Sequence, residues 1–162
     1  MKKRNIYIII FILLLIILDQ FTKILVINSF NEGDSLILIN NFLKFYYIKN
    51  TGISFGLFSG KVLIVIFVTI FIMFYIMYEM FVKKNNKMIL LSGSLILSGA
   101  IGNLIDRVFR GFVVDFISFT LFGKEMAVFN VADMLITFGV IVYLIDLLLE
   151  GKNEKNRSKR RK

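Results

Sequence analysis

The chain has 162 residues, a formal net charge of +9 and a 57% hydrophobic composition with 18 Phe, and it contains no Cys, His or Pro. Length alone predicts one domain. The missing residue types exclude Ser-His and Cys-His nucleophilic couples, His-ligated zinc, disulfides and Fe–S clusters, leaving Asp, Glu, Lys, Ser, Thr and Tyr for chemistry.

Four apolar segments, about 6–26, 62–81, 88–105 and 131–149, each have the 17–25 residues a helix needs to cross a bilayer. The first follows Met-Lys-Lys-Arg and resembles a secretory leader. However, Asp19-Gln-Phe-Thr-Lys23 follows it with no small-x-small cleavage pattern, so an uncleaved first helix is expected. Asp19 and Lys23 are four apart and share a helix face, which predicts an ion pair that makes their burial tolerable.

Residues 35–58 alternate and are rich in aromatics, predicting two strands with a turn at Asn40-Asn41, followed by a turn-like Asn50-Thr-Gly-Ile-Ser-Phe-Gly56. An apolar sheet there would rest at the headgroup level and could cradle an acyl chain or a peptide. The second span is nearly pure Ile, Val, Phe and Met. The third, Ser92-Gly-Ser-Leu-Ile-Leu-Ser-Gly-Ala-Ile-Gly-Asn103, is built from small residues that let helices approach closely in lipid. Gly99, Asn103 and Arg107 recur every four residues and form one stripe. The stripe predicts a polar wall in which Arg107 matters more than Arg110. Residues 113–129 predict a second hairpin around Phe122-Gly-Lys-Glu125. Asn130-Val-Ala-Asp133 opens the fourth span, where Asn and Asp commonly cap free N–H groups. Asp133 reads equally well as a cap or as a reactive group. Asp146, near the other end of that span, is expected to pair with a base or to snorkel. Residues 151–162 form a basic tail, expected to be disordered.

Thirteen of the 20 Lys and Arg lie before span one, between spans two and three, or in the tail. The positive-inside rule makes that side cytoplasmic, with both termini inside and 27–61 and 106–130 outside. The basic tail then marks topology and anionic lipid, and no nucleic-acid partner is expected. Asp19, Lys23, Asn50, Asn103, Asp106, Arg107, Asp115, Asn130 and Asp133 all gather at the outer interface. An ionisable group near hydrocarbon costs several kcal/mol, roughly, and usually has a partner or a role. If Asp115 and Asp133 converge, they can share one proton and activate a water, as in an aspartic peptidase. A small ion- or proton-coupled transporter and a non-catalytic assembly factor are the competing readings. No Gly-rich phosphate loop, metal-ligand cluster or internal repeat is present, so neither a metal nor an organic cofactor is expected.

In order, Asp19-Gln-Phe-Thr-Lys23, Asn50-Thr-Gly52, Gly99-Ala-Ile-Gly-Asn-Leu-Ile-Asp-Arg107, Val113-Val-Asp-Phe-Ile117 and Phe129-Asn-Val-Ala-Asp133 resemble the motifs of the bacterial lipoprotein signal peptidases (signal peptidase II). The resemblance covers most of the chain. It implies an all-α polytopic membrane protein with four transmembrane helices and a small extracytoplasmic β-rich segment. It further implies one membrane-embedded peptidase domain, 1–150, in the bacterial cell membrane. The implied activity is removal of signal peptides from diacylglyceryl-modified prolipoproteins just before the lipidated Cys. By the same likeness Asp115 and Asp133 are the catalytic dyad, and Asn50, Gly52, Gly99, Asn103, Arg107 and Asn130 support the site or bind substrate. Asp19 and Lys23 are structural supports. The expected partners are the lipidated precursor and membrane lipids, and the expected state is a monomer. One departure is visible: the family usually has small residues after its Asn-x-Gly motif, where this chain has Ile53 and Ser54.

Overall fold

A computed structural model describes residues 3–52, 61–83 and 86–159. Ile53, Ser54, Lys84 and the last residues of the basic tail lie outside them. The elements in chain order are α1 (Lys3–Ser29), β1 (Ser35–Ile39), β2 (Leu43–Asn50), α2 (Val62–Tyr78), α3 (Lys87–Phe109), β3 (Val113–Leu121), β4 (Lys124–Glu125) and α4 (Val131–Lys159), with a wider π-helical turn, Glu79–Lys83, closing α2. The four helices are long and apolar enough to cross a membrane. A small antiparallel sheet in the order β1-β2-β3-β4 accompanies them. The expected polytopic helical fold with a β-rich segment is the observed one, and the protein is a multi-pass membrane protein. One boundary differs. α4 continues to Lys159, past the expected span end at Leu149, so the first part of the basic tail is helical rather than irregular.

Side-chain size decides which helix is central. Within the apolar window of each span, 67% of α3 is buried, against 11%, 11% and 17% for α1, α2 and α4. The small residues of α3 allow this. A Cβ on Gly99 would run into the Ala132 carbonyl oxygen of α4, and one on Gly102 into the Asp19 carboxylate of α1. Small residues thus bring three backbones to van der Waals distance without the hydrophobic drive available in water. The outer faces of α1, α2 and α4 keep Leu, Ile, Val and Phe exposed, as expected for surfaces solvated by lipid.

Both sequence-predicted hairpins form. Asn41 takes the left-handed conformation (φ 56°) in the β1–β2 turn, as short polar side chains tolerate. Phe122 (φ 52°) and Gly123 (φ 74°) turn β3 into β4. A second feature was not foreseen. Between Phe45↔Ile117 and Ile48↔Asp115 the register shifts, so two β2 residues face one β3 residue beside Asp115. Such a bulge re-aims neighbouring side chains. The sheet is seated on the end of α1 by Val26, Tyr47, Val114 and Phe116.

Candidate active site

Asp115 reaches the site from β3, and Asp133 from the first turn of α4. Asn130 caps α4: its Oδ1 accepts from the Asp133 backbone N–H at 3.0 Å, and its own N–H donates to Asp133 Oδ2 at 3.2 Å. This reciprocal box satisfies orphan donors at the helix start. The two readings of Asp133 are therefore not alternatives, because the capping carboxylate also lines a cavity.

That cavity has a volume of about 330 Å³ and lies between α2, α3, α4 and β3. Asp115 and Asp133 both face it, with Asn50, Asn103, Arg107 and Thr69. A second cavity, about 640 Å³, lies between the sheet and an adjoining face of α4. Leu38, Phe45, Phe119, Phe129 and Phe138 help to line it, and Asp133 is the one ionisable group among the described lining residues. Asp133 thus borders both the cavity it shares with Asp115 and the apolar one.

Among the described residues, each carboxylate oxygen of the pair accepts one hydrogen bond. Asn50 Nδ2 donates to Asp115 Oδ2 at 2.7 Å, and Asn130 Nδ2 to Asp115 Oδ1 at 2.6 Å. Asn103 Nδ2 donates to Asp133 Oδ1 at 2.8 Å, while Asp133 Oδ2 takes the Asn130 N–H. Asn130 therefore touches both acids. Burial raises the Asp115 pKa from 3.8 to about 7, and the nearby Asp133 charge raises it too, against the lowering effect of the Asn50 and Asn130 amides. An acid held near neutrality can exchange a proton at physiological pH, which an ordinary Asp cannot.

Behind the pair lies an ion cluster. Lys23 is fully buried, and its ammonium meets Asp19 at 2.9 Å, Asp106 at 3.0 Å and Asn103 Oδ1 at 2.9 Å. Its three N–H donors match three acceptors, so nothing is left unsatisfied at that cation. Asp19 also accepts from the Ala132 N–H at 2.9 Å, linking α1 to the start of α4. Asp106 accepts from the Val114 N–H at 3.1 Å, linking α3 to the strand that carries Asp115. The expected Asp19–Lys23 pair is present, but it is part of a larger cluster that ties down both acid-bearing elements.

The three residues of the α3 stripe meet different partners, and Arg107 bonds to backbone carbonyls where a carboxylate or substrate was expected. Gly99 lies under Ala132, Asn103 holds Asp133, and Arg107 donates to the Gly52 carbonyl at 2.8 Å and the Asn103 carbonyl at 3.3 Å. Gly52 N–H in turn donates to Asn50 Oδ1 at 2.9 Å, which leaves the Asn50 amide nitrogen for Asp115. Arg107 Nε is buried without a hydrogen-bond partner among the described residues, beside the cavity.

Two further residues gain partners that the sequence did not assign. Arg110 pairs with Asp106 and donates to Gln20 Oε1 at 2.9 Å. Asp146, expected to pair with a base or to snorkel, is buried and accepts from Asn86 Nδ2 at 2.7 Å, and no base pairs with it among the described residues. Gln20 and Arg110 were missed as members of the cluster, and Asp106 was placed at the interface without a role. The spacing of Asp106 and Arg110 at i, i+4 was the available signal.

Comparison with known proteins identifies the family. A protein-family model described as Signal peptidase (SPase) II matches residues 11–149. The lipoprotein signal peptidase of Clostridium tetani is 41% identical over 151 residues, covering 92% of this chain and 97% of that protein. The one from Shouchella clausii is 39% identical over 148 residues, covering 91% and 96%. A bacterial membrane enzyme solved by the in meso method at 2.3 Å superposes with a TM-score of 0.84 at 37% identity, covering 91% of this chain and 90% of that one. With a match of this extent, over the same helices and strands that carry the acid pair, the chain belongs to the signal peptidase II family, the lipoprotein signal peptidases.

Proposed function

We propose that Asp115 and Asp133 form the catalytic dyad of an aspartic endopeptidase, which removes signal peptides from diacylglyceryl-modified prolipoproteins by cutting before the lipidated Cys. The observation that carries this reading is that both acids line one cavity and are bridged by Asn130. One acid is ionised and takes a proton from water as the water oxygen bonds to the scissile carbonyl carbon. The other gives its proton to the carbonyl oxygen. In the collapse of the resulting diol, the C–N bond breaks, a diol proton returns to the second acid, and the first protonates the leaving nitrogen. No metal is required by this scheme.

Asn50, Asn130 and Asn103 orient the acids, and Arg107 with Gly52 holds the rim on which Asn50 sits. Asp19 and Lys23 support the site from behind. The larger cavity beside Asp133 offers an apolar wall suited to acyl chains, next to the reacting centre. Residues 1–150 constitute one peptidase domain. Both termini are cytoplasmic and the dyad lies at the outer face, a reading that the Lys and Arg distribution supports. The enzyme acts as a monomer. The transporter reading has no support in the family, and its polar groups crowd one end of the bundle instead of lining a path through it.

The test uses purified protein and a synthetic lipidated precursor, scored by the mass of the released peptide. Asp115→Asn and Asp133→Asn each remain folded and release no signal peptide. Normal processing by either variant refutes the dyad.

A further inference from the structure

Lys23, Asn103 and Asp133 form a relay whose direction is fixed by geometry. A side-chain amide has one accepting end and one donating end, and coordinates alone do not distinguish them without the surrounding network. Here the network does. Asn103 Oδ1 is approached by two donors, Lys23 Nζ at 2.9 Å and Asn130 Nδ2 at 3.2 Å. The other end meets Asp133 Oδ1 at 2.8 Å. Turning the amide over would set an NH2 against the Lys23 ammonium and an oxygen against the Asp133 carboxylate. Both contacts would be repulsive in a buried site, where such interactions are strong.

The two acids therefore stand in unlike surroundings. Asp133 receives an amide N–H polarised by a cation at its far end, together with a backbone N–H at the positive end of α4. Asp115 receives two side-chain amides and lies in a strand; among the described residues no cation or helix end bonds to it, and the Lys23 charge reaches it only through space. The remaining charged groups are arranged around them: Arg107 of α3 borders the shared cavity, and Asp19, Asp106 and Arg110 surround Lys23 on its far side.

We propose that Lys23 is a positioning residue for the dyad: by locking the Asn103 amide it makes Asp133 the ionised acid that accepts the water proton, and leaves Asp115 as the acid that donates to the scissile carbonyl. The proposal rests on the dyad reading above and assigns the roles within it. The near-neutral titration of Asp115 is consistent with that assignment, since a donor must hold its proton at working pH.

Removing Lys23 alone takes from the buried Asp19 the cation it is paired with, so the informative variant is Lys23→Met combined with Asp19→Asn. This double variant removes one charge of each sign and keeps the Asp106–Arg110 pair. The expected result is a thermal midpoint close to that of the parent and an unchanged KM. The expected kcat falls on the order of tenfold or more, and the acidic limb of the pH–rate profile moves up by about one pH unit, the size expected when a charged acceptor loses one hydrogen bond. A parent-like kcat and acidic limb in the folded double variant would overturn the proposal while leaving the dyad intact. Processing by Asp115→Asn or Asp133→Asn, by contrast, removes the dyad itself.

A measurement on the unaltered enzyme decides the matter if the double variant does not fold. With 15N-labelled asparagine, the Asn103 side-chain amide signal should shift across the acidic limb, and that of Asn50, which touches Asp115, across the basic limb. The reverse order, or an Asn103 signal indifferent to pH, sinks the assignment.

Discussion

Asp115→Asn should abolish cleavage and yet stabilise the protein in alkali. Asp115 is 1% exposed, and its pKa is raised from 3.8 to about 7. The folded state then binds the proton more tightly than the unfolded state does. This contribution is complete below the unfolded value and is lost as pH rises through about 7. A rise of that size corresponds to roughly 4 kcal/mol lost between the two limits. Asn cannot ionise, so it escapes the loss. It has one accepting oxygen where Asn50 and Asn130 both donate, so one N–H is left facing another, at a cost of about 1–3 kcal/mol. The variant is therefore less stable than the parent below about pH 4, where both states of the parent hold the proton, and more stable at about pH 8.5, by a few kcal/mol at most in either direction. Thermal unfolding in detergent, followed by far-ultraviolet circular dichroism, reads this as two midpoint–pH curves that cross. Parallel curves would refute the reasoning, because they would mean that Asp115 does not titrate differently in the folded and unfolded states.

The same group sets a limit on turnover. If Asp115 must be protonated, the rate with lipidated precursor should fall roughly tenfold per pH unit above about 7, and a rate still rising at about pH 9 contradicts this. Gly99→Ala places a methyl against the Ala132 carbonyl and Ile136, so α3 and α4 must part. A loss of about 1–3 kcal/mol in stability and a lower kcat are expected, and unchanged values of both would show that the helices yield freely. Arg107→Ala and Arg110→Ala should separate by kind of defect. The first releases the Gly52 rim and lowers kcat/KM with little loss of thermal midpoint, whereas the second strips Asp106 of a partner and lowers stability by about 1–3 kcal/mol. Identical defects in both would remove the distinction between rim and ion cluster.

The helical part of the fold was legible because lipid imposes a simple requirement: about 20 apolar residues per crossing, with internally satisfied backbones. Four such runs stand out in the sequence, and α1 to α4 follow them. The acids were legible for the same reason, since Asp115 and Asp133 interrupt apolar runs where a charge is costly. Turn chemistry located both hairpins through Asn40-Asn41 and Phe122-Gly123. The bulge opposite Asp115 was not visible, because a register shift depends on how Tyr47 and Phe116 pack against Val26, and alternation along one strand carries no information about its partner.

The ion cluster shows where reading by spacing stops. Asp19 and Lys23 are linked by one helical turn, and so are Asp106 and Arg110, so each pair can be proposed from sequence. That the two pairs fuse, with Lys23 bonded to both acids, depends on α1 and α3 touching closely enough for Gly102 to lie against Asp19. A lysine with a single acid would be an ordinary buried pair, whose desolvation roughly offsets its attraction. With two acids and one amide oxygen around it, the ammonium is fully satisfied and its position is fixed. A fixed cation can in turn fix the amide beside it. In this cluster stability and chemistry therefore share one cause. The contacts that make a buried lysine tolerable also hold the donating end of Asn103 on Asp133, and a substitution that repairs the charge balance without restoring that amide orientation should recover the fold but not the rate.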